Sequence, residues 1–109
     1  MSEIELLTPE GLFASPAFSH VAVIPPGATT IHVGGQNAVD SSGGLVGGDD
    51  VAAQTRQVMA NLTTALAAAG VGIAQLVSVS VLLVGAAMVR GLGVPGALVE
   101  VSALAAVVR

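Results

Sequence analysis

The sequence predicts an α+β domain in which one amphipathic helix covers one face of a β-sheet. Three observations support this: an apolar stripe of helical period in residues 49–70, a strand-like segment at residues 76–84, and an apolar closing segment at residues 98–108. At 109 residues the chain is long enough for one domain, spanning residues 1–109.

The helix predicted over residues 49–70 is the element around which the others are arranged. Its stripe positions recur at steps of three and four residues, which places them on one helix face. They are Val51, Thr55, Val58, Met59, Leu62, Leu66 and Ala69. Asp49 or Asp50 is expected to cap the first turn, because a carboxylate accepts hydrogen bonds from free N–H groups. Gly70 is expected to cap the last turn.

Shorter strands are predicted before the helix. Residues 1–19 are interrupted by proline and glycine and predict a loop or a weak edge strand. Residues 20–24 and 29–33 predict two strands joined as a hairpin by a Pro-Pro-Gly turn. The second strand runs into Gly34-Gly35-Gln36, where glycine marks a bulge or turn, the interpretation that the pattern favours, or close backbone approach to a ligand.

The segment after the helix predicts a strand buried on both sides. Val and Ser alternate in its first half, but residues 81–84 are apolar on both faces. One helix covers only one face, so a second layer or a second copy must cover the other, and we predict an oligomer. A membrane-spanning helix over residues 71–89 is the alternative for this uncharged run. Its glycines, its β-branched residues and the lack of Trp, Tyr and Lys anchors argue against that alternative.

Two further strands are predicted at residues 86–92 and 98–108, and the second contains Glu100. A carboxylate inside an apolar strand lies either on the solvent face of an edge strand or beside a partner, because unpaired burial is unfavourable. Glu100 is therefore a candidate site residue.

The composition excludes several kinds of function. A net charge of −4 and the absence of lysine argue against nucleic acid as a partner, because nothing would neutralise phosphates. The absence of cysteine excludes thiolate chemistry and cysteine-ligated zinc, and two histidines are too few for a metal site. The N-terminus lacks the features of a secretory signal, so we expect a cytoplasmic protein that binds no membrane.

Three segments together resemble the RidA (YjgF-type) family of reactive-imine deaminases. They are IHVGGQNAVDSSGGLVG, then VAAQTRQVMANLTTALAAAG leading into LVSVSVLLV, and finally PGALVEVSALAAV. The first resembles the family's strand ending in a Gly-Gln turn. The second contains its Gln-x6-Asn helix, with Gln54 and Asn61, and the third resembles its closing strand.

This resemblance implies a chorismate-mutase-like mixed β-sheet with the helix packed on one face, assembled as a homotrimeric barrel with clefts between subunits. It also implies hydrolysis of 2-imino acids, with Glu100 as the catalytic group that positions a water and Gly35 binding the substrate carboxylate. Gly34 and Gln36 flank Gly35 in the substrate-binding turn, and Phe18 takes the place of a tyrosine without its hydroxyl. No metal or organic cofactor is implied.

Two departures from the family pattern affect these expectations. The family's substrate-clamping arginine motif has no counterpart, since Arg90 aligns further along its strand. The family's second helix is also absent between Val84 and Ala86, where one glycine is too short for a parallel crossover. Either the two strands form a very tight hairpin, or residues are missing from the chain at that point, which we favour.

Three functions follow as hypotheses. The first is an imine or enamine deaminase acting through Glu100 and Gly35. The second is a non-catalytic trimer that binds a small carboxylate ligand or has a regulatory role, which the missing arginine and Phe18 favour. RNA cleavage is the third, and the acidic charge and scarcity of aromatic residues argue against it.

Overall fold

The computed structural model describes residues 3–84 and 94–109. In chain order its elements are β1 (Glu5–Leu7), β2 (Val21–Val23), β3 (Thr29–Gln36), α1 (Val51–Ala68), a 3₁₀ turn (Ile73–Gln75), β4 (Leu76–Leu83) and β5 (Val99–Val107). Three of the predictions concern residues outside the described ranges. They are the strand at residues 86–92, the chain gap between Val84 and Ala86, and the position of Arg90.

The strands form two antiparallel sheets. The larger has the order β3-β5-β4, so the last strand of the chain lies in the middle of the described sheet, and β1 pairs with β2 in the smaller. The predicted hairpin between residues 20–24 and 29–33 is therefore wrong, because those strands belong to different sheets. Pro25 and Pro26 between them lack the N–H groups that bond a tight hairpin, and more distant strands pair with each instead.

Helix α1 packs across β3 and β5 to form the core. Its buried Val58, Leu62 and Leu66 meet a row of alternate residues on β5. That row consists of Val99, Val101, Ala103 and Ala105. Residues that alternate along a strand share one face, so Glu100, Ser102 and Leu104 lie on the face of the sheet away from the helix.

The ends of α1 follow the predicted capping. Asp50 Oδ1 accepts hydrogen bonds from the N–H groups of Ala52 and Ala53 at 2.9 and 3.3 Å, so Asp50 rather than Asp49 is the cap. Gly70 has a φ of +75°, the left-handed conformation expected after a helix. Both capping predictions are confirmed.

The predicted stripe is wrong at its edges. Val51 and Met59 are 47 % and 37 % exposed, whereas Gln54, outside the predicted stripe, is fully buried. Gln54 occupies the core because its amide group is saturated by backbone: Nε2 donates to the carbonyls of Gly48 and Gly96, and Oε1 accepts from Leu98 N–H.

In a single chain, residues 78–83 of β4 are exposed on both faces, so one copy does not provide the two-sided burial predicted for this strand. Val79 and Val81 pair with Ala103 and Val101 and so lie on the helix side, yet they are 48 % and 56 % exposed. Leu82 points to the other side and is 41 % exposed. Within the described residues, no helix has both the length and the apolar character needed to cross a membrane.

Candidate functional site

A β-bulge places two glycines at the end of β3. Val33 pairs with Ala103 and Gln36 with Val101, so Gly34 and Gly35 together face Ser102 alone. A bulge of this kind takes backbone groups out of the regular hydrogen-bond ladder. The glycines are exposed, which leaves their backbone accessible to a ligand. The bulge predicted from the sequence is confirmed.

The carboxylate of Glu100 lies directly over Gly35. A methyl group on Gly35 would lie 2.6 Å from Glu100 Cδ and 2.7 Å from Oε1, closer than van der Waals contact allows. The same group on Gly34 would have no atom within 4 Å. A side chain at Gly35 would therefore displace the Glu100 carboxylate from its position over the bulge.

Glu100 is half-buried and faces away from the helix, opposite Leu82 on β4. None of the side-chain hydrogen bonds among the described residues involves its carboxylate. Of the arginines that the structure describes, Arg56 is exposed on α1 and Arg109 donates to the carbonyl of Ala69 at the helix end. Both belong to the helix side of the sheet.

Gln36 completes the turn at the bulge. Its Nε2 donates to the carbonyl of Gly34 at 3.1 Å, so the side chain folds back over the glycines instead of reaching into solvent. The structure thus brings together four of the predicted site residues: Gly34, Gly35, Gln36 and Glu100.

Phe18 lies elsewhere on the chain. Half of its surface is exposed, and its ring packs edge-on against His20 with the centroids 5.3 Å apart. It lines a cleft of about 490 Å³ between the N-terminal region and the first half of β4, and neither Gly35 nor Glu100 lines this cleft. Within one chain, the cleft and the bulge are separate.

A cluster of amide side chains holds the segment that leaves the bulge. Asn61 Nδ2 donates to the carbonyls of Asn37 and Val39 at 3.0 and 2.9 Å, and Asn37 Nδ2 donates to the carbonyl of Val99 at 3.2 Å. Asn37 was not among the predicted site residues. The Gln-x6-Asn spacing of Gln54 and Asn61 was the available signal for this cluster.

No metal-binding site is present among the residues that the structure describes. Across residues 3–84 and 94–109, no group of three or more histidine, aspartate or glutamate side chains lies close enough to hold an ion.

The family model described as Endoribonuclease L-PSP matches residues 10–90, most of the chain. The chain belongs to this family. It is the RidA (YjgF-type) family whose motifs the sequence carries, so the predicted resemblance and the predicted α+β fold are both confirmed. Among curated proteins, none matches the chain.

One solved structure extends the family relationship to the closing strand. It is YyfB from Yersinia pestis, described as a protein of unknown function of the conserved Rid family. The two chains are 29 % identical, the TM-score is 0.84, and the match covers 98 % of this chain and 100 % of YyfB. Glu100 lies within that span, although it lies beyond the residues that the family model matches.

Proposed function

We propose that this RidA-family protein is a hydrolytic deaminase of reactive imines and enamines, 2-imino acids above all, with Glu100 as its catalytic group. The observation that carries the proposal is the position of the Glu100 carboxylate against the backbone of Gly35, beside exposed bulge glycines. In such a site the carboxylate can transfer a proton, and backbone N–H groups of the exposed glycines can donate hydrogen bonds to an anion.

The reaction takes one water and releases one ammonia. Glu100 accepts a proton from the water as its oxygen attacks the C=N carbon and passes that proton to the imine nitrogen, giving a tetrahedral carbinolamine. Glu100 then accepts the hydroxyl proton of the carbinolamine and delivers it to the amino nitrogen as the C–N bond breaks, so a carbonyl compound and ammonia leave. The carboxylate is unchanged at the end of the cycle, and no cofactor takes part.

Substrate binding is assigned to the turn and to a neighbouring subunit. The backbone of Gly34 and Gly35 would hold the substrate carboxylate, and Gln36 would close the turn over them. Phe18, remote from Glu100 within one chain, would be supplied by the neighbour in a homotrimer whose clefts lie between subunits. A cytoplasmic location, where enamines are released by pyridoxal-phosphate enzymes, belongs to the same proposal.

The test of catalysis is ammonia release from an enzymatically generated imino acid. Glu100→Gln keeps the shape of the side chain and removes its basicity, so we expect the rate to fall by roughly 10²- to 10⁴-fold. Glu10→Gln is the matched control, because Glu10 is an exposed carboxylate outside the site, and it should leave the rate unchanged. Equal rates for Glu100→Gln and the wild type would remove Glu100 from the mechanism.

The assembly is tested on β4. Leu82 lies on the open face next to Glu100 and is 41 % exposed in one chain. If copies of the chain cover this face, Leu82→Lys should convert a trimer into monomers in light scattering at micromolar concentration, because burying the charge is unfavourable. A wild-type protein that is already a uniform monomer under these conditions would contradict the trimer and the shared cleft.

A non-catalytic trimer that binds a small carboxylate ligand is the second candidate. The arginines that the structure describes lie on the helix side of the sheet, so neither provides the bidentate contact that holds a carboxylate firmly. Calorimetry with 2-oxo acids, the products of the reaction, separates the candidates. Binding without ammonia release favours the second, and no binding counts against both.

RNA cleavage, the activity named in the family's description, is not proposed. The net charge of −4 and the absence of lysine provide no surface for phosphates. The chain has only two phenylalanines and no Trp or Tyr on which bases could stack.

A further inference from the structure

We infer that Asn37 is a positioning residue that holds the Gly34–Gly35 bulge against the carboxylate of Glu100. The inference rests on the proposed function, because it concerns the geometry of the same site. Asn37 makes no contact with the carboxylate itself among the hydrogen bonds of the described residues. It acts through the backbone on both sides of the site.

Asn37 stands where the pairing of β3 with β5 ends. The last paired residues are Gln36 and Val101, after which the chain turns away, with Val39 N–H donating to the Asn37 carbonyl at 2.8 Å. At that point the Asn37 side chain takes over the link to β5, because its Nδ2 donates to the carbonyl of Val99 at 3.2 Å. The side chain is only 8 % exposed, so water does not readily replace this bond.

The two ends of this link adjoin the two halves of the site. Val99 directly precedes Glu100 in β5, and Asn37 follows Gly35 by two positions in the sequence. The Asn37–Val99 bond therefore closes the sheet just beyond the bulge. Without it, β3 and β5 would be held together only on the other side of the bulge and at Gln36–Val101, and Gly35 could move away from Glu100.

Helix α1 orients Asn37 from behind. Asn61 Nδ2 donates to the carbonyls of Asn37 and Val39, and so fixes the turn that contains them. Asn61 is oriented in its turn by Gln57, whose Nε2 donates to Asn61 Oδ1 at 2.9 Å. Because this bond occupies the oxygen of the Asn61 amide, the nitrogen is directed at the two carbonyls. A continuous relay therefore runs from the helix surface to the backbone beside Glu100.

The primary test is Asn37→Ala, followed by two measurements. The amide resonances of Gly35 and Glu100 should shift in NMR spectra, while that of Gly70 at the far end of α1 should stay in place. In ammonia release, kcat should fall by about tenfold or more with a smaller change in KM, because misplaced reacting groups slow the chemical step more than they weaken binding.

Three further variants separate positioning from general destabilisation. Leu66→Val removes part of a fully buried side chain near the C-terminal end of α1 and should lower stability without moving the Gly35 and Glu100 resonances. Gln57→Ala breaks only the outer end of the relay on the helix surface, and so it should fold even if Asn37→Ala does not. It should shift the same resonances by less. Thr64→Ala, at an exposed helix position, should not shift them.

The outcomes are distinguishable. Unchanged Gly35 and Glu100 resonances in Asn37→Ala and Gln57→Ala, or shifted resonances with wild-type kcat, would overturn the positioning role. If the wild type releases no ammonia, the proposed function fails. The resonances alone then decide whether Asn37 holds the bulge.

Discussion

The two faces of β5 differ in what a single chain provides for them. On the helix side, Val99, Val101 and Ala105 are at most 3 % exposed beneath α1. On the opposite side, Glu100, Ser102 and Leu104 are only half-buried. One face of β5 thus belongs to the core, which a single chain completes. The other face belongs to the surface that carries the candidate site. Because side chains alternate along a strand, the core and the candidate site lie on opposite faces of β5.

The largest effect is expected from removing a residue of the closed face. Leu62 is fully buried in α1 against β5, so Leu62→Ala should lower the free energy of unfolding by about 2–5 kcal/mol in urea denaturation. Leu104→Ala is the matched change on the open face, and for an isolated chain it should lower that free energy by about 1 kcal/mol or less. Equal losses would show that the open face is covered in solution.

A smaller effect is expected at the bulge and should appear in activity instead of stability. Gly35→Ala places a methyl group where the Glu100 carboxylate lies, so the carboxylate must move, and ammonia release should fall by roughly 10- to 100-fold. Gly34→Ala meets no atom within 4 Å, so the Glu100 carboxylate keeps its place and the loss of activity should be smaller. Neither glycine has a positive φ, so both variants should fold. Equal activity of the two variants would contradict the assigned role of the Gly35–Glu100 contact.

The smallest effect is expected at the N-terminal cap of α1, which stabilises the helix without contacting either face of β5. Asp50→Ala removes the acceptor for the N–H groups of Ala52 and Ala53 and should lower the free energy of unfolding by about 1 kcal/mol. Asp49→Ala removes the neighbouring carboxylate, which does not cap the helix, and should change it by less than about 0.5 kcal/mol. A reversed order would mean that Asp49 caps the helix in solution.

The residues of the candidate site were easier to predict from the sequence than the contacts they make. Glu100 was recognisable as a charge in an apolar strand, and the glycines as an interruption at the end of another. The family resemblance implied only that they serve one substrate, and their contact was not predicted, because the two segments are some 65 positions apart in the sequence. Asn37 and Gln54 were overlooked as anchors, since polar residues in a sequence do not reveal which distant carbonyl groups they reach.

What the sequence determined by itself is local: a helix from its three- and four-residue apolar period, a carboxylate cap at Asp49 or Asp50, a glycine cap at Gly70, strands β4 and β5, and membership of the RidA family. These depend on interactions between near neighbours or on motifs read in order. Only the tertiary structure decided that β2 pairs with β1 and not β3, that Gln54 enters the core, and that Glu100 closes over Gly35. Each of these depends on which distant backbone groups a residue meets, and hydrogen-bond partners of that kind are chosen by the whole fold.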